Sequence, residues 1–153
     1  MNTDASVDLS LGKIGIGAVV RDCFGYVLAS CALPVLGGFS PEIAEALAIF
    51  RSLSFARDSG LLPCIVESDA QVVVNLINSK SLPLSDVGLI ITDICTFLRD
   101  HPGCNIVFAS RRANLVAYTL AKIGLVSSCD NFWMEDVPPS VIPVVLGDRP
   151  CQL

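Results

Sequence analysis

Three acids in the chain stand where a carboxylate needs an explanation. The stretch CIVESDAQVVVNLINS, residues 64–79, runs Cys64-Ile65-Val66 into Glu67-Ser68-Asp69 before apolar residues return. The short β-branched run after Leu62-Pro63 reads as a buried strand, Cys64–Ser68. Val72, Val73, Leu76 and Ile77 then recur at helical spacing, so a helix covers 70–79. Asp69 therefore lies at the carboxyl end of a buried strand, where ligand crevices open in α/β sheets. By itself the stretch suits a helix cap from Ser68 or Asp69 better than a catalytic carboxylate, and both readings stand at this point. Asp4, between Thr3 and Ala5, falls in an extended segment over residues 2–8 rather than in a solvated loop. Glu45 sits on a helix with the apolar stripe Ala46, Ile49, Leu53 and Ala56, roughly 60° from the stripe's centre at about 100° per residue. Ala44 and Ala48 beside it are small enough to let it approach a sheet. A carboxylate buried there needs a partner or a metal. The alternative is a helix-border residue reaching out to water.

The elements that must position these acids follow from the apolar pattern. GIGAVVRDCFGYVLASCAL reads as a hairpin, with strands Ile14–Val20 and Tyr26–Ala32 and a turn over Asp22–Gly25. Ser40 and Pro41 open a helix as cap and first residue, and Ser59-Gly60 closes it after Asp58. The loop NSKSLPLSD carries one cation, Lys80. Val87, Ile90, Ile91, Ile94 and Leu98 trace one face of a further helix, which Pro102-Gly103 ends. A strand over Cys104–Ala109 and a helix over Asn114–Val126 complete the pattern. Residues 1–128 make one α/β domain in the order β-β-β-α-β-α-α-β-α, a mixed sheet with helices on its faces. Residues 129–153, with Pro138, Pro139 and Pro143, are expected to form a C-terminal tail that either packs on the domain or leaves it irregularly.

Composition narrows the function classes. Hydrophobic residues make up 52% of the 153 and charged ones 16%, which excludes a disordered chain and supplies a full core. No apolar run is long enough to cross a bilayer, and MNTDASVDLS carries no secretory signal, so an intracellular protein is expected. Seven cysteines without paired spacing point to free thiols in a reducing compartment. A single histidine, His101, and no C-x-x-C argue against zinc. The net charge of −5 argues against holding nucleic acid by bulk electrostatics. It is compatible with an acidic site served by a divalent metal and equally with an ordinary soluble domain.

The chain resembles the ribonuclease H family, and within it the plant ribonuclease-H-like domains related to the terminal domain of retroelement reverse transcriptases. NTDAS, GIGAVVRDCFGYVLAS, SPEIAEALAIFRSLSFARDSG, IVESDAQVVVNLIN and RRANLVAYTLAKIG carry the resemblance in family order, from residue 2 to about 126, and FWMEDVPPSV resembles the plant subgroup. The resemblance implies a mixed five-stranded sheet in which the first and fourth strands lie side by side, with Asp4, Glu45 and Asp69 converging at one end. It implies two Mg²⁺ ions on those carboxylates, with Mn²⁺ as substitute, and hydrolysis of the RNA strand of RNA–DNA hybrids. With that set in place, Asp69 reads as a metal ligand.

Two positions depart from the family. Its fourth acidic position falls on Tyr118, whose phenol would have to lose a proton of pKa about 10 to match a carboxylate. Tyr118 also lies roughly 160° from Leu120, the middle of the stripe Val116, Leu120, Ile123. The family's loop histidine aligns with Arg111-Arg112, which either grip a substrate phosphate or are solvated. Asn114 matches the family's asparagine and either orients a phosphate or caps the helix. Two functions are therefore carried forward. One is a Mg²⁺-dependent hybrid ribonuclease; the other is a catalytically silent domain that keeps the fold for nucleic-acid or protein binding.

Overall fold

The computed structural model describes residues 1–79 and 82–148. Lys80 and the last five residues lie outside them. Strands β1 (Asn2–Asp8), β2 (Lys13–Arg21) and β3 (Val27–Leu36) form an antiparallel meander. Helix α1 (Pro41–Asp58) leads to β4 (Ile65–Ser68), α2 (Gln71–Ser79) and α3 (Asp86–Asp100). Then come β5 (Asn105–Phe108), a 3₁₀ turn over Arg111–Asn114, α4 (Leu115–Val126), β6 (Asn131–Met134) and α5 (Ile142–Gly147). The sheet order is β5-β4-β1-β2-β3-β6, with β4 parallel to both β1 and β5.

Local chemistry sets most of these boundaries. The Ser40 hydroxyl accepts from the Ile43 amide with Pro41 at the first turn, and Gly60 takes φ 71° just past the end of α1. Asp22 accepts from the Phe24 and Tyr26 amides at 2.9 Å each, closing the hairpin with Gly25 at φ 85°.

Three sequence expectations need correction. The sheet has six strands rather than five, because Asn131–Met134 of the tail pairs antiparallel with β3, Ala29 opposite Met134 and Ala32 opposite Asn131. Beyond it, Val141, just before α5, and Val145 within it pack beside Val116 and Leu120 of α4. Finally, α4 begins at Leu115 rather than Asn114, after the 3₁₀ turn, and Asn114 makes no side-chain cap.

Period-two alternation divides the core. Ile16, Ala18 and Val20 of β2 join Ala48 and Phe55 of α1 on one face. Ile49, Leu53, Val73, Ile91 and Ile94 extend that layer through α2 and α3. On the other face, α4 lies almost on the backbone of β2. A Cβ at Gly17 would stand 2.2 Å from the Ala117 carbonyl, and one at Gly15 would stand 2.1 Å from that of Ala121. Only glycine in the strand, opposite alanines in the helix, permits that approach.

Candidate active site

The site opens where β1 and β4 part. They share one register pair, Asn2 with Glu67. Asn2 fixes this junction: its Nδ2 donates to Glu67 Oε2 (2.8 Å) and its Oδ1 accepts from Arg21 (2.8 Å). Past the junction β1 and β4 share no further register pair, and the buried Asp4 lies beside this gap. By register Asp4 pairs with Gly17 and so belongs to the α4 face. Thr3 points the other way, its hydroxyl 2.6 Å from Ser52 and 3.2 Å from the Ala48 carbonyl, and pins α1 against β1. That anchor holds Glu45, one turn earlier on α1, at the gap. Asp69 closes it from the end of β4.

Suitable oxygens of Asp4, Glu45 and Asp69 all lie within 4.8 Å of one another. The predicted convergence is therefore present. Ser68 Oγ accepts the Ala70 amide at 3.2 Å, so the cap-like contact belongs to the serine, and the Asp69 carboxylate lies with Asp4, Glu45 and Arg111.

The electrostatics are those of a site short of positive charge. Burial, then the neighbouring Asp69 carboxylate, pushes Asp4 up to about 7, although the Ala5 amide donates to its Oδ1 at 2.9 Å. Burial, then the Asp4 and Asp69 charges, pushes Glu45 up to about 8. Glu45 Oε2 is buried and has no hydrogen-bond partner among the described residues. A divalent cation would satisfy that oxygen and both raised acids at once, so the residues fit a hard-metal site of oxygen donors.

The other expected site residues surround the acids in different ways. Arg111 Nε donates to Asp69 Oδ2 at 3.2 Å, with the arginine 86% exposed and the aspartate 12%. Arg112 is exposed and makes no ion pair among the described residues. Asn114 is not at the surface: it is 1% exposed and its Nδ2 donates to the Thr3 carbonyl at 2.9 Å. It satisfies the backbone group that the missing β1–β4 pairing leaves open. Tyr118 is exposed on α4, with Lys122 Nζ 5.3 Å from its ring centroid. Lys122 was missed in the sequence, although it follows Tyr118 by four residues and so shares its face. It stands close enough to Asp4 to favour the charged carboxylate. His101 is remote from this group: its ring stacks on Phe97 and its Nδ1 contacts the Phe97 carbonyl at 2.8 Å.

Solved structures similar to the chain share its fold. Ribonuclease H1 from the archaeon Halobacterium salinarum superposes with a TM-score of 0.73 at 21% identity, covering 81% of this chain and 94% of that one. LC11 ribonuclease H1 in complex with an RNA/DNA hybrid gives 0.72 at 21% identity over 81% and 94%. The protease–reverse transcriptase of prototype foamy virus gives 0.60 at 20% identity, over 82% of this chain and 20% of that one. No curated protein sequence matches the chain. Residues 2–124 match the model of the reverse transcriptase-like family, and with its ribonuclease H-like fold the chain belongs to that family.

Proposed function

We propose that the domain is a divalent-metal-dependent endoribonuclease that hydrolyses the RNA strand of RNA–DNA hybrids. The observation that carries this reading is the convergence of three carboxylates at a strand gap, one of them with a buried, unpartnered oxygen. Asp4, Glu45 and Asp69 would hold Mg²⁺, or Mn²⁺ in its place. A metal held there would supply a nucleophilic water at neutral pH and would stabilise charge on the phosphate oxygens. The chain's own groups do the rest. Thr3 and Ser52 hold α1, and with it Glu45, in register with β1. Arg111 donates to Asp69 through Nε and so leaves its terminal nitrogens to grip a phosphate. Tyr118 contributes a neutral hydroxyl where the family places an acid, so this site has one carboxylate fewer for its cations.

A second reading, a silent binding domain, is favoured by Tyr118 and by the Arg111–Asp69 pair, which partly neutralises the cluster without metal. Cleavage assays separate the two. End-labelled hybrid, duplex RNA and duplex DNA are incubated with Mg²⁺ and with Mn²⁺. The nuclease reading expects cuts in the RNA strand of the hybrid alone. Binding of the hybrid with no cleavage in either metal would support the silent domain.

A further inference from the structure

The α4–α5 face carries a cavity that neither the acids nor the family match accounts for. It has a volume of about 570 Å³ and lies between Arg111, Arg112 and Leu115 on one side and Pro143, Val144 and Gly147 on the other. That is within the usual range for small-ligand sites. Its second wall lies wholly beyond residue 124, where the family match ends. The wall is firmly placed. Val141 and Val145 pack with Val116, Leu120 and Val19, and Asp148 is bound to Arg21 at 2.7 Å, both ends of that pair largely buried.

The charge of the cavity is opposite to that of the protein. Its one acid, Asp148, is already neutralised by Arg21, whereas Arg112 has no acidic partner among the described residues and Arg111 is committed through Nε alone. Two guanidinium groups thus stand at the mouth of an otherwise apolar cleft, in a chain of net charge −5. Phosphate suits the guanidinium forks, and the flat apolar ring of a base suits Leu115, Pro143 and Val144. Arg111 also touches Asp69, so the cavity abuts the acid cluster.

We propose that this cavity, completed by the C-terminal segment, holds one nucleotide unit of the bound strand beside the scissile phosphate. The pocket rests on the proposed function only for that last clause, because nucleotide binding there needs neither metal nor cleavage. It also answers how an acidic chain retains a nucleic acid, since a local phosphate clamp with an apolar seat does not require a basic face.

The test measures binding of a fluorescent hybrid in EDTA by anisotropy for the wild type and three variants, each checked for an unchanged melting temperature. Gly147→Leu adds bulk without charge at a position where a Cβ meets nothing within 4 Å, so it narrows the cavity without strain. It is expected to weaken binding about tenfold, as is Arg112→Ala, which should also lower the salt dependence by about one phosphate contact. Arg57→Ala, which removes the same charge from α1 outside the cavity, should change binding less than about twofold. Wild-type affinity in Gly147→Leu would overturn the pocket even if the enzyme cleaves hybrids. Weakened binding in Gly147→Leu and Arg112→Ala by an enzyme that never cleaves would keep the pocket and remove the nuclease reading. No binding by the wild type at low salt would remove both.

Discussion

Asp4 and Glu45 hold protons that ordinary carboxylates would have lost, and this has a measurable sign. Their folded values, about 7 and about 8, lie above the ordinary 3.8 and 4.5. The folded state therefore binds more protons than the unfolded state between these limits, and stability falls as pH rises. The contribution is complete below about pH 4 and is lost as pH climbs through 7 to 8. The metal-free melting temperature is expected to drop by about 5 °C or more between pH 5 and pH 9. Asp4→Asn should flatten that slope, and saturating Mg²⁺ should offset it, because metal binds the deprotonated cluster. A melting temperature independent of pH in this window would contradict the burial of these acids. Arg111 gives a second prediction at this scale. Its bond to Asp69 competes with a metal, so Arg111→Ala should tighten Mg²⁺ binding to the nucleic-acid-free protein by up to about fivefold in calorimetry. Weaker Mg²⁺ binding in the variant would show that the arginine supports the metal site instead of masking it.

At the scale of elements, α4 matters most, because its seating on β2 brings Tyr118 and Lys122 toward Asp4. Gly17→Ala places a Cβ 2.2 Å from the Ala117 carbonyl, a backbone atom that cannot swing aside. The helix must shift, at a cost on the order of 1–3 kcal/mol that denaturant unfolding would detect. Wild-type stability in Gly17→Ala would refute the close approach. Tyr118→Asp restores a hard oxygen ligand at the family's fourth position and is expected to raise both Mg²⁺ affinity and hybrid cleavage severalfold. Unchanged values would mean that α4 does not serve the metal. Most elements were legible in the sequence because their apolar periods are local: α1, α3 and the hairpin fall within a few residues of expectation. β6 was not. The NFWM stretch is only four residues long and lies shortly before Pro138-Pro139, and its strand character comes from pairing with β3, about a hundred residues earlier. Asn114 was named, but its observed contact was not legible for the same reason, since its partner is the Thr3 carbonyl left open by the parting of β1 and β4.

Across the whole molecule, acids from three elements meet because the sheet is interrupted at one place, between β1 and β4. The three candidate acids could be named from the sequence once the family resemblance joined Asp4, in a short strand, and Asp69, just past the end of another, to Glu45 at the border of an apolar stripe. Part of their surroundings could not, because Lys122 comes near Asp4, and α5 lines the cavity beside Arg111, only through the folded arrangement. Among the described residues no helix is long and apolar enough to cross a membrane. All six cysteines among the described residues are free, as the unpaired spacing implies. The central claim is that the convergent carboxylates form a metal site that cuts RNA in a hybrid. The most direct measurement is single-turnover cleavage of an end-labelled RNA–DNA hybrid in Mg²⁺ by the wild type and by Asp69→Asn. The account predicts RNA-strand cleavage by the wild type and a loss of at least about a hundredfold in the variant. Equal rates in the two proteins, or no cleavage by the wild type in either Mg²⁺ or Mn²⁺, would contradict it.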